Sequence, residues 1–282
     1  MQKQTVSVRV PATVGNFGGA GDSAALALEA TLNVKVNRRL DGHVGIRYFG
    51  ENGERVPRDR SNLVVRALEA ALHFKQREFT GADLEIYSSI PVAVGLGSST
   101  ASVLAGLIAA SLLYRLELDE KSLFELASIY ERRGASLRAA WLGGFVASVE
   151  NASALDRPPA AVAYQKSAVP EDFVLNVVVP ETSRGPNFAG LEEALQVRAS
   201  GHVPVFVCGS GPAMGVFAAK DSAATASRIR AAFARHGVAS SCFEFRPSKT
   251  GALDWNAARP DITLPPARGL SDSLPITKSL SV

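Results

Sequence analysis

The stretch IPVAVGLGSSTASVLAGLIAA, residues 90–110, constrains this chain more than any other, because it joins a loop of glycines and hydroxyls directly to an apolar helix. Gly95 and Gly97 can take backbone angles closed to other residues and turn amide groups inward, and Ser98, Ser99 and Thr100 add hydroxyls at the same place. A helix expected over residues 101–113 presents its positive N-terminal end to that point. The segment predicts an anion site of the kind that holds phosphates. The plainer reading of the loop taken alone is a turn with a helix cap. Two named phosphate patterns do not fit. GxxxxGK[ST] needs a lysine after its last glycine, where Gly97 is followed by Ser98. GxGxxG meets Thr100 in place of its third glycine, and no acidic residue ends a second strand about twenty positions on.

Two further segments carry similar punctuation. Residues 8–36 begin as an alternating strand, pass a glycine-rich elbow holding Asn16 and Asp22, and are expected to enter an apolar helix near Ser23. Asp22 reads equally as a ligand-facing group and as the cap of that helix. Residues 203–219 read as a buried strand, a tight Gly209-Ser210-Gly211-Pro212 turn and another apolar stretch.

In this order and spacing the three segments resemble the GHMP kinase superfamily and, within it, the homoserine kinases. The opening is similar to that family's PATxxNxGxGxD stretch, and residues 91–101 to its ATP loop PxxxGLGSSxA with each fixed letter present. The resemblance implies an α+β fold: a ribosomal-protein-S5-like N-terminal domain over residues 1–150 and a ferredoxin-like C-terminal domain, shortened here to 151–246. From residue 247 onward, an irregular Pro- and Ser-rich tail is expected.

The resemblance also implies roles. Pro91, Gly95, Leu96, Gly97, Ser98, Ser99, Thr100 and Ala101 would hold ATP, and Asn62 would line the adenine pocket, although it also reads as an N-cap residue. Ser99 and Glu131 would be the ligands of Mg²⁺, with Glu125 the competitor for the acidic position on a helix over 120–132. A solvated helix face explains both glutamates as well. Glu131 and Ser136 are the catalytic candidates; Asn16, Asp22 and Arg184 would contact the acceptor. The implied reaction is transfer of the γ-phosphate of ATP to the hydroxyl of a small amino alcohol, with L-homoserine leading, as in threonine biosynthesis. The alternatives are a kinase for a different small hydroxy acid and a catalytically silent protein of the same fold.

The departures fall in two places. The family's H-x-D-N cluster is matched here by Arg133, Gly134, Ala135 and Ser136, followed by LRAAWLGGF with paired Gly143 and Gly144. A cation stands where a carboxylate would pair an ammonium group, and repulsion of about 1 kcal/mol or more follows in a partly dry site. After residues 173–180 the arginine-bearing insert of the family is replaced by one short helix, which leaves Arg184 as the carboxylate clamp or as an ordinary loop arginine.

Composition narrows the partners. The net charge of +3 is spread singly along the chain, and Trp141, Trp255 and the tyrosines do not interleave with it, which argues against nucleic acid. No apolar run reaches the ~20 residues of a membrane span, and Lys3, Ser7 and Arg9 interrupt any leader core, so a cytoplasmic location is expected. Cys208 and Cys242 have neither zinc nor disulfide spacing. The expected partner is a small-molecule substrate, with a homodimer left open.

Overall fold

A computed structural model describes residues 5–17, 23–149, 162–170, 172–181, 190–197, 205–217 and 222–258. Its backbone is β2 (Ala24–Arg38), a 15-residue strand. One edge of β2 pairs antiparallel with β1 (Thr5–Gly15), from Thr5↔Asn37 to Gly15↔Ala25, with one irregularity between Pro11 and Ala12. The proline has no N–H for the ladder, and the register slips beside it. The other edge is shared: β4 (Ala82–Ser88) pairs with Leu32–Arg38 and β5 (Phe145–Ser148) with Ala24–Leu26. β3 (Val44–Phe49) extends the sheet parallel to β4, and β6 (Tyr164–Ser167) extends it beyond β5.

The helix expected over residues 23–30 is therefore a strand. Ala, Leu and Glu favour helix by intrinsic propensity, but AALALEA also has period two. Ala25 and Ala27 face Ala135, Ala139 and Val146, while Leu26 and Leu28 face the main core. Small residues are required on the first face because α4 (Gly134–Leu142) packs directly on it. Tertiary packing overrides local preference here.

α1 (Leu63–Phe74) and α2 (Ser98–Tyr114) cover this sheet side by side. α2 buries Thr100, Leu104, Leu107 and Leu113 around its circumference. A side chain at Gly106 would lie 2.3 Å from the Val64 carbonyl, so the two helices touch backbone to backbone. α3 (Glu120–Ser128) is shorter than expected and leaves Glu131 in the turn before α4.

The second sheet is antiparallel, in the order β10-β7-β9-β8, with β7 Leu175–Pro180, β8 Val205–Val207, β9 Met214–Phe217 and β10 Ser240–Phe245. The last two of these in sequence, β9 and β10, were not expected as strands. α5 (Leu191–Gln196) and α6 (Ser222–Arg235) pack on it through Ala194, Ile229 and Phe233. The architecture is the α+β arrangement of two sheets that the sequence implied. Phe17 joins them: its ring lies 5.8 Å from Phe145 of the first sheet and 5.1 and 5.4 Å from Phe206 and Phe217 of the second.

Part of the expected tail is built into the fold. Pro247 bridges Leu28, Ser248 N donates to Ala27 O, and α7 (Ala252–Ala258) packs on β1. Asn256 grips the Arg9 backbone, accepting from its N–H at 3.1 Å and donating to its carbonyl at 3.0 Å. A Cβ on Gly143 would lie 2.4 Å from the Thr250 carbonyl carbon, so Gly143 makes room for this return.

Candidate functional site

The loop after β4 is fixed on two flanks. Thr13 N donates to Leu96 O at 3.2 Å, and a Cβ on Gly97 would meet Thr13 Oγ1 at 2.3 Å. On the other flank Ala213 N donates to Val94 O, and a Cβ on Gly95 would lie 1.9 Å from Cys208 O. Both glycines have positive φ, 91° and 74°, so neither the space nor the angle admits another residue. Gly97 is the N-cap of α2 and has no side chain to accept from the first turn, which leaves backbone donors and the helix dipole for a ligand.

A cavity of about 350 Å³ opens in front of this loop. One end is largely apolar, walled by Leu32, Tyr48, Val56, Pro57, Leu63 and Ile86 with Arg55 beside them; the other is formed by Gly95, Gly97, Ser98, Ser99, Arg133 and Ser210. A flat aromatic group suits the first end and a chain of anionic oxygens the second. Asn62 lines the cavity, yet its amide is committed: Oδ1 accepts from Val64 N at 3.0 Å and Nδ2 donates to Pro57 O at 2.9 Å. It caps α1 and holds the Pro57 wall in place. Pro91, Leu96, Thr100 and Ala101 are buried and shape the loop from behind; Ser98 and Ser99 face the cavity.

Glu131 lies behind the second end, beside Ser99 and Thr100. Its carboxylate, 5% exposed, accepts from Ser99 Oγ at 3.0 Å and Thr100 Oγ1 at 2.9 Å. Arg133 closes on it with its backbone N–H at 3.1 Å, Nε at 2.9 Å and Nη2 at 2.8 Å. Burial alone would raise the Glu131 pKa; the hydrogen bonds and charge of Arg133, with help from Thr100, outweigh it and hold the carboxyl below its ordinary range. A magnesium ion does not fit on Glu131 in this arrangement, because both oxygens are taken by the guanidinium. Glu125, the competing candidate, lies on the exposed face of α3 with Lys121 at 3.9 Å.

Ser136 is buried at the start of α4, and a Cβ on Gly15 would lie 3.5 Å from its hydroxyl. Asn16, with φ 68°, donates through its side-chain amide to Gly209 O at 3.4 Å. The Asn16 elbow and the Gly209–Pro212 turn thus meet the loop of residues 91–97, which brings the three sequence segments together. Ala135 points away from them into the small cluster against β2. Asp22 and Arg184 lie outside the described residues. Sequence reasoning missed Tyr48, Val56 and Pro57 as cavity wall and treated Arg133 only as a departure; the Val-Pro pair inside an otherwise polar loop was the available signal.

Residues 62–144 match the GHMP kinases N terminal domain. The fold is that of the GHMP kinases: homoserine kinase from Cytophaga hutchinsonii superposes with a TM-score of 0.67 at 17% identity, covering 89% of this chain and 97% of that one. In sequence the chain is similar to homoserine kinases. It is 34% identical to that of Corynebacterium glutamicum over 68% of this chain and 60% of the relative. It is 27% identical to that of Moorella thermoacetica over 87% and 98%. The chain spans about half the length of several other curated homoserine kinases that it matches. Among the described residues no helix is long and apolar enough to cross a membrane.

Proposed function

We propose that this chain transfers the γ-phosphate of ATP to the hydroxyl of a small acceptor, with L-homoserine the leading candidate. The observation that carries the reading is the two-ended cavity, apolar at Tyr48 and Pro57 and rich in backbone and hydroxyl donors at Gly95–Ser99. The adenine would rest on the apolar wall and the β- and γ-phosphates against the loop and the first turn of α2. Similarity to homoserine kinases supports the choice of acceptor.

The acceptor would approach from the side of Asn16 and Ser136, and its oxygen would form a bond to the γ-phosphorus as the bridging oxygen leaves with ADP. No carboxylate or imidazole lies among the described residues lining the cavity. A loose transition state demands little of a base, so the hydroxyl proton can leave with the product phosphate or to solvent. The chain's contribution is then positioning and charge stabilisation.

A coupled ADP-release assay over homoserine, threonine, serine and small hydroxy acids tests the reading. Turnover with homoserine supports it, and a preference for an acceptor without an ammonium group would assign a different alcohol. A second reading, nucleotide binding without transfer, is favoured by the occupation of both Glu131 oxygens by Arg133. ATP binding with no turnover on any acceptor would establish it.

A further inference from the structure

The Glu131 carboxylate accepts five hydrogen bonds, from Ser99, Thr100 and three nitrogens of Arg133. A carboxylate offers roughly four lone-pair positions, so nothing is left for another cation. A magnesium ion would need one of those oxygens at about 2.0–2.1 Å and could take it only by expelling the guanidinium. That guanidinium is itself placed as a ligand group. Nη2 lies 3.4 Å from Ser99 Oγ, and Nη1 lies 3.0 Å from where a Cβ on Gly209 would stand, so it spans from the phosphate loop to the facing glycine turn. Arg133 is 29% exposed and lines the cavity, whereas Glu131 behind it is 5% exposed and does not.

We propose that Arg133 is the resident cation of the phosphate end: it occupies the Glu131 carboxylate in place of a divalent ion and sets its guanidinium against the terminal phosphate of a bound triphosphate. The inference rests on the nucleotide reading above. A planar guanidinium can keep Nε and one hydrogen of Nη2 on a carboxylate while N–H groups on its outer edge turn to phosphate oxygens, and its charge is permanent. The triphosphate therefore binds without a divalent ion. Any magnesium that accompanies it sits on phosphate oxygens and not on Glu131.

The test is equilibrium ATP binding by calorimetry on the whole chain, in EDTA and again with magnesium. For the wild type, removal of magnesium lowers affinity by less than about tenfold. Arg133→Gln loses a further tenfold or more in EDTA, the scale of a charge-assisted contact to phosphate. Arg133→Lys keeps the charge and protects the fold, and it loses about threefold or more in EDTA because its single ammonium cannot serve both groups. Glu131→Gln leaves the magnesium concentration needed for half-maximal binding within about threefold.

Unchanged metal-free binding in folded Arg133→Lys overturns the inference, as does a Glu131→Gln protein that no longer responds to magnesium. If the wild type binds ATP under neither condition, the nucleotide reading fails and takes this inference with it. Wild-type binding with magnesium alone overturns the inference and leaves that reading standing.

Discussion

Residues 91–101 and residues 131–136 meet at one point and are constrained in different ways. In the first stretch the residue types are dictated by backbone proximity: a Cβ on Gly95 would enter the Cys208 carbonyl, and one on Gly97 would enter Thr13. The letters cannot change without moving strands. In the second stretch the backbone is an ordinary turn and helix start, and Glu131 and Arg133 act through their side chains. Those can be exchanged while the fold stays intact. A motif fixed by packing survives changes of chemistry; a motif fixed by chemistry records them.

The sharpest way to break this contrast is Gly95→Ala. The loop or the Gly209 turn must shift, so a loss of more than about 3 kcal/mol in urea unfolding is expected, together with loss of ATP binding. A mild effect would mean that the two turns are not held together. Ala135→Asp comes next. The new carboxylate would be buried among Ala25, Ala27 and Ala139, and a cost of about 3 kcal/mol follows for a charge without a partner. If the variant instead kept its stability and bound an amino acceptor more tightly, position 135 would face the cleft.

Glu131→Gln should cost about 2 kcal/mol at neutral pH by weakening the Arg133 pair. It should also flatten the acid limb of stability. The Glu131 pKa is depressed when folded, so its stabilisation is complete above the unfolded value near 4.5 and fades as pH falls through the lower folded value. Unfolding curves between neutral pH and the acid range measure that difference directly. The smallest effect is that of Asn62→Ala, about 1 kcal/mol for the lost cap, with a modest weakening of ATP binding through the Pro57 wall.

The glycine loop of residues 91–97, its helix and the turns of its two companion segments were legible because each is punctuated by residues with special backbone freedom. β2 was misread where helix-forming residue types happen to satisfy a strand: Ala25 and Ala27 are small for the sake of α4, a neighbour more than a hundred residues later. The same limitation hid the return of residues 247–258, whose polar, turn-rich letters gave no period, yet Gly143 and Asn256 hold that segment in place. Glu131 was picked out from the resemblance, but its saturation by Arg133 is a matter of angles and distances. No spacing rule contains it.

The tether of Thr13 to Leu96, with the Val94 contact opposite, has a thermodynamic consequence. The entropy of ordering the amides that meet an incoming ligand is charged to folding and is not levied again at each encounter. An affinity gained this way rises and falls with the global stability of the first hairpin, so under the proposed function weakening β1 far from the cavity would show up as a weaker grip on nucleotide before any loss of bound geometry.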